Sequence, residues 1–409
     1  MSNLGTFLLI LLTLPLHAQL HRGVWFWGST TLPDASSSPF GSSTVVGDST
    51  AEDESIAFFT SHDVKRLYGS YQNRPVSEPA TIAAWNTKLA AAGIQSQLLL
   101  DGNAVNDPAE VASILTKITN RLINFNNTYA ADPPSRFDAL HLDLEPQGLP
   151  EWDSGTPADK RLLLDDLLQA YADIRAHLDS NGHASLPIYA DIPFSWDKLP
   201  VDGGSIDWAD ATDRDNWFTA VSTHIDGCSI MTFSKDTFAE LADATLYERT
   251  GPLTEARVAI QPKCGLGEIW PTLLHFHAIV HQLETNLGSS EAVDIENYAF
   301  WRYAIDHCGF TVGPPITVTL VSTGTGALPW PPAVDGTGGV DGDDPVLVFP
   351  GIPGHIHTVR TATSLRGQWQ EIIDLQTTHP TEAEMFRVPV PATGPRRFWS
   401  IKSTPAGNR

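Results

Sequence analysis

Two carboxylates stand two residues apart in Ala139-Leu-His-Leu-Asp-Leu-Glu145, at Asp143 and Glu145. The run that carries them is β-rich, and a strand's period of two points both side chains to one side. Carboxyl groups that close cannot both ionise cheaply, so one pKa rises and leaves a protonated acid beside a charged base at neutral pH. Such a pair can protonate a leaving oxygen, the step that cleavage of a glycosidic bond requires. A lone Asp-x-Glu serves equally to bind loop amides or a structural cation, so the surrounding elements carry the distinction.

Those elements predict an α/β protein. Short β-rich runs alternate with longer amphipathic stretches from residue 22 to about 310, the pattern of a parallel sheet with crossover helices. Eight repeats are counted, with strands over 23–27, 64–70, 95–101, 139–145, 186–192, 227–233, 257–261 and 297–303. The expectation is a (β/α)8 TIM barrel. Helices are expected around Ile56-Ala-Phe-Phe59, from Pro79 to Ala92 with a stop at Gly93, and from Ala158 to Leu178 with a stop at Asn181-Gly182. The last of these carries Leu162, Leu163, Leu164, Leu167, Leu168, Tyr171 and Ile174 near a 3.6-residue stripe.

In such a barrel the active site forms at the C-terminal strand ends, which places Asp143 and Glu145 at the mouth. Substrate-binding candidates by the same rule are Trp27, Tyr71, Asp101, Tyr189, Asp191, Met231 and Trp301, with Trp25 beside Trp27 on the first strand. Aromatic faces suit sugar rings and carboxylates bond hydroxyls. Trp152, just past Glu145, either walls a cleft or packs under its loop. His275, His277 and His281 fall on a helix outside the barrel and are expected to be solvated.

The chain divides, on this reading, into a signal peptide over 1–19, the barrel over 20–312, a strand and Gly/Asp-rich linker over 313–345, and a small all-β sandwich over 346–409. The apolar run Phe7 to Leu16 is too short to cross a bilayer and reads as a secretory signal, so a secreted or periplasmic monomer with no membrane span after cleavage is expected. A net charge of −23 opposes phosphate backbones and anionic lipid, which disfavours nucleic acid as a partner. Cys228, Cys264 and Cys308 are too few for a disulfide scaffold, and neither Cys-x-x-Cys nor His-Glu-x-x-His occurs, so no metal site or cofactor is signalled. Asn126-Asn-Thr128 fits a glycosylation acceptor.

Phe137-Asp-Ala-Leu-His-Leu-Asp-Leu-Glu145 resembles the strand 4 signature of family 18 glycoside hydrolases, the chitinases and endo-β-N-acetylglucosaminidases, whose DGxDxDxE pattern ends in the acid. Asp138, Asp143 and Glu145 match it. Asp226-Gly-Cys-Ser-Ile-Met-Thr-Phe233 is similar to that family's strand 6, and Trp301 falls where the family keeps a tryptophan under the reacting sugar. The resemblance implies an oligosaccharide or glycoconjugate substrate, with Glu145 protonating the leaving oxygen and Asp143 orienting the substrate's own N-acetyl group, which attacks the anomeric carbon without an enzyme nucleophile. Strand 7, ending Ala259-Ile-Gln-Pro-Lys-Cys264, lacks the carboxylate of a two-Glu retaining barrel. Three positions depart from the pattern: His141 replaces the inner carboxylate, Phe233 the tyrosine that holds the N-acetyl oxygen, and Ser234 the following aspartate. Two alternatives stay open, a carbohydrate-binding barrel without catalysis and a retaining glycosidase with a conventional nucleophile. Ala362-Thr-Ser-Leu-Arg-Gly-Gln-Trp369 and Gly394-Pro-Arg-Arg-Phe-Trp399 resemble the fibronectin-like accessory modules of secreted bacterial hydrolases.

Overall fold

The computed structural model describes residues 22–28, 40–263, 269–270, 273–287, 293–307 and 316–317, and five strands beyond 345. The leader, Cys264, Cys308 and most of the linker lie outside them.

Eight parallel strands close a barrel in chain order: β1 (Arg22–Phe26), β2 (Val64–Gly69), β3 (Gln95–Gly102), β4 (Ala139–Leu144), β5 (Ile188–Pro193), β6 (Gly227–Met231), β7 (Ala256–Ile260) and β8 (Val293–Ile295). Seven follow the expected runs to within two residues. The eighth does not. Residues 297–303 are not a strand: β8 ends at Ile295 and a helix runs Tyr298–His307. The Asn297 side chain accepts from the Ala299 amide at 2.6 Å, a start signal for a helix. Burial at Tyr298, Trp301 and Ala304 then follows helical spacing, which overrides the β propensity of an aromatic-rich run.

Crossover helices are delimited by local chemistry. Asp48 caps Ser49–Ser61 by accepting from Thr50 N and Ala51 N, and Thr156 with Asp159 forms a capping box on Pro157–Ser180. Pro79–Ala91 and Pro157–Ser180 are followed by Gly93 at φ +71° and Gly182 at φ +80°, the left-handed conformation that closes a helix. The buried stripe of Pro157–Ser180 is Leu163, Leu164, Leu167, Tyr171 and Ile174; Leu162 is 62% exposed and Leu168 only half-buried, so the stripe is narrower than its run of leucines suggests.

The barrel interior is polar where most barrels are aliphatic. Asp294 of β8, fully buried, accepts from Tyr68 Oη at 2.9 Å, Arg257 Nη2 at 2.7 Å, Arg257 Nε at 2.9 Å and Ser229 Oγ at 2.5 Å. Glu255 pairs with both Arg66 and Arg257. Burial works against charge at Asp294, but Arg257 and the hydroxyl donors hold its carboxyl below the ordinary range. Gly23 makes this network possible, because a Cβ there would overlap Asp294 Oδ1 and Tyr68 Oη. Gly23→Ala is expected to cost about 1–3 kcal/mol of stability through that overlap, read as a lower midpoint in urea unfolding.

Asn126 is buried and spends its amide on Phe137, donating to its carbonyl at 3.0 Å and accepting from its N–H at 2.9 Å. The folded chain therefore offers no glycosylation acceptor there. Cys228 is a buried free thiol. Among the described residues no helix is long and apolar enough to cross a membrane.

The chain forms two compact units, one holding all eight barrel strands and the other Ser234–Thr237, the described part of Pro262–His281, and the described residues from Phe300 onward. In the second unit His277 Nε2 accepts from Trp301 Nε1 at 3.1 Å and both His275 and His277 are half-buried, so these two histidines are not the solvated side chains expected. Its strands are β9 (Ile316–Thr317), β10 (Val346–Gly351), β11 (His355–Ala362), β12 (Gln370–Gln376), β13 (Glu384–Pro389) and β14 (Phe398–Pro405). They pair as two three-stranded sheets, β10-β13-β9 and β12-β11-β14.

Candidate active site

β4 ends because Pro146 has no N–H to continue the ladder. Glu145 N makes the last bond, to Gly102 O at 2.8 Å, before the chain turns through Pro146–Gly148. The last residues of β4 and β3 run in register, Asp143 against Asp101. Asp101 is exposed, while Asp143 and Glu145 are half-buried. Glu145 Oε1 accepts from Gln147 Nε2 at 3.0 Å.

Behind Asp143 lies a closed polar cluster. Asp191 of β5 is 1% exposed and accepts from Trp25 Nε1 at 3.1 Å through Oδ2; its Oδ1 lies 2.8 Å from His141 Nε2. His141 Nδ1 lies 3.2 Å from Gln97 Oε1, and the imidazole stacks on Tyr68 with ring centroids 4.0 Å apart. Asp143 Oδ1 is out of solvent with no hydrogen-bond partner.

Electrostatics agree with the geometry. Burial, then the charges of Asp191 and Glu145, push the Asp143 carboxyl well above the carboxylate range. Burial also raises Glu145, against the Gln147 bond. Asp191 is raised by burial, against the Trp25 bond. Burial drives His141 down to about 3, against the pull of Asp294 and Asp143, so the ring is neutral.

The strand-end candidates separate into three groups. Asp101, Asp143, Glu145, Trp27 and Met231 stand on the upper turns of their strands, and Trp27 packs with Phe233 against the Trp25, Tyr68, Leu99 and Ala259 cluster. Asp191 lies beneath this level and is closed to solvent. Three are elsewhere. Tyr71 is 2% exposed, its hydroxyl accepting from Trp85 Nε1 at 3.0 Å and its ring packed on Phe26 and Phe137, because it follows the outward-facing positions Leu67 and Gly69. Tyr189 sits one inward position below Asp191, with the Arg66 guanidinium 5.1 Å over its ring. Trp301 lies on the helix after β8 and bonds to His277. Trp152 packs on Trp196, ring centroids 6.0 Å apart, with Lys160 5.5 Å over its own ring.

Sequence reading missed Gln97, Tyr68, Ser229, Arg257 and Asp294. Their signal is a polar residue between apolar ones in a strand, as in Val293-Asp-Ile295 and Cys228-Ser-Ile230. Among the described residues no group of three or more His, Cys, Asp or Glu is placed to hold a metal ion.

No family profile and no curated protein matches the chain. Solved structures similar to it include a family GH18 chitinase from Chromobacterium violaceum, at 12% identity over 71% of this chain and 82% of that one, with a TM-score of 0.41. A glucosidase from Croceicoccus marinus is 13% identical over 70% of this chain and 62% of its own, with a TM-score of 0.40. A family GH18 chitinase from Cycas revoluta, solved with allosamidin, is 13% identical over 59% and 68%, with a TM-score of 0.35. Likeness of this depth carries no chemistry, which rests on the side chains described above.

Proposed function

We propose that this chain is an exported glycoside hydrolase that cleaves glycosidic bonds in N-acetylglucosamine-containing glycans by acid catalysis with substrate assistance. Glu145 is the general acid and base, and Asp143 orients the acetamido group whose carbonyl oxygen attacks the anomeric carbon. The observation that carries the reading is the pair itself: two carboxyl groups at the end of β4, both raised by burial, one with an oxygen lacking any donor. The upward shift moves Glu145 toward the protonated form that an acid catalyst needs. Asp101 beside the pair and Trp27 and Met231 on neighbouring strands would contact the sugar.

A second reading, a sugar-binding barrel without turnover, is favoured by Phe233, which packs against the Trp25, Tyr68, Leu99 and Ala259 cluster and has no hydroxyl for an acetyl oxygen. One comparison tests both. With the same aryl leaving group, the N-acetylglucosaminide or its chito-oligomer is expected to be hydrolysed and the matching glucoside to be left intact, because only the former carries the attacking group. Equal rates on both, or a covalent sugar adduct trapped on a carboxylate, would refute substrate assistance. Binding of both without turnover would establish the second reading.

A further inference from the structure

We infer that the cavity at the N-terminal end of β4 and β5 is a second binding site, one that takes a small hydroxylated carboxylate with Arg136 as its anion anchor. The site is independent of the hydrolase reading. From Asp138 to Glu145 the chain climbs about 20 Å at the rise of a strand, so the cavity and the candidate acid stand at opposite ends of the barrel wall.

The cavity holds about 420 Å³, within the range of roughly 300–1,000 Å³ that small-molecule sites occupy. Asn127, Pro133, Arg136, Asp138, His183 and Pro187 line it. They come from the helix Asn124–Thr128 and from the turns that feed β4 and β5. Both turns are held by the protein itself. Gly182, at φ +80°, redirects the chain after the helix Pro157–Ser180, and His183 N is bonded to Leu178 O at 2.9 Å. Across the cavity, Asn126 clamps both backbone groups of Phe137, and Arg136 N is bonded to Pro133 O at 3.1 Å. Walls fixed in advance lower the ordering cost of binding.

The chemistry of the lining selects the ligand. Arg136 Nε is shut off from solvent and finds no acceptor, and among the described residues its guanidinium forms no hydrogen bond or ion pair. Such a fork matches a carboxylate with two parallel bonds. Asp138 faces the same cavity but spends its Oδ2 on Ser96 N, at 2.8 Å, rather than on Arg136. A fixed carboxylate beside the anchor opposes a doubly charged phosphate. It suits a singly charged carboxylate whose hydroxyl groups can donate to it. His183 Nε2 lies 3.2 Å from Asn127 Oδ1. Burial, then the Arg136 charge, hold His183 below its ordinary value, so the ring is neutral. With Nε2–H given to Asn127 Oδ1, His183 Nδ1 is left to accept and Asn127 Nδ2 to donate. An anion anchor, both kinds of hydrogen-bonding group and two proline faces together describe a sugar acid.

The test uses the full chain labelled with 13Cε1 histidine, with the His183 resonance assigned by its loss in His183→Gln. D-glucuronate, D-galacturonate and D-gluconate are added separately. At least one is expected to saturate and to raise the His183 titration midpoint by about half a pH unit or more, because a bound anion favours the charged ring. By calorimetry, Arg136→Gln is expected to weaken that ligand by about tenfold or more, the range lost with a charge-assisted bond. Arg136→Lys keeps the charge without the fork and should recover only part of the affinity. Arg136 anchors nothing through its side chain, so both variants should keep the parent thermal midpoint. A His183 titration unmoved by all three sugar acids overturns the inference, as does binding that survives Arg136→Gln intact. Inorganic phosphate or neutral D-glucose binding as tightly as the best sugar acid overturns the assignment of a carboxylate.

Discussion

Glu145→Gln is expected to lower kcat on an unactivated N-acetylglucosaminide by about a hundred- to ten-thousand-fold, the range removed with a general acid. The change is nearly isosteric, and the new side chain still offers Oε1 to the Gln147 amide that donates to it now. KM and the thermal midpoint should therefore stay near the parent values, so the loss reads as chemistry. A graded set of leaving groups sharpens the result. An aryl oxide with a low pKa departs without a proton, so the variant should lose least on the most activated substrate and most on a natural glycan. Full activity of Glu145→Gln on every cleavable glycan would end the assignment of Glu145 as the acid.

The second large effect is on stability. Asp294→Ala is expected to cost about 3–5 kcal/mol, since removing one member of a buried ion pair leaves the other charge uncompensated. Arg257 is 1% exposed and would lose its principal carboxylate partner, with Glu255 lying farther off at 3.5 Å. Tyr68 and Ser229 would lose their acceptor as well. Asp294→Asn keeps the shape and separates charge from packing. Because the folded Asp294 is held below its unfolded pKa, its contribution is present above the unfolded value near 3.9 and is lost as pH falls through the folded value. Urea unfolding at several pH values should show parent and Asp294→Asn far apart at neutral pH and converging in strong acid. A constant gap across the range would mean that charge is not what Asp294 supplies.

Much of the barrel was legible because its strands repeat at regular spacing and its helices announce their ends. Gly93 and Gly182 are local signals, and local signals survive in any context. The eighth strand failed for the opposite reason. Tyr298-Ala-Phe-Trp-Arg-Tyr303 has strand composition, yet the choice between strand and helix there is made by the Asn297 cap and by burial on one helical face. Propensity without periodicity was the weaker guide.

At the site, period-two geometry placed Asp143 and Glu145 at the end of one strand without knowledge of the rest. The same rule sent Tyr71 astray, because it counts from a strand's last residue and a single position changes the face. Asp191 was legible as inward-facing but not by depth; its closure depends on Trp25 and His141, fifty and more positions away in sequence. Long-range partners of this kind leave no mark on the residues next to them.

The ion cluster inside the barrel also bears on how this sequence can drift. Asp294, Arg257, Glu255, Arg66, Tyr68 and Ser229 satisfy one another across four strands, so each is tolerated only in the company of the others. Replacing one strands a charge, whereas replacing the whole set with apolar residues of similar volume restores a consistent interior. Intermediate sequences are the unstable ones. The interior of this barrel is accordingly a region of strong epistasis, expected to be kept or exchanged as a block while the surface helices around it vary residue by residue.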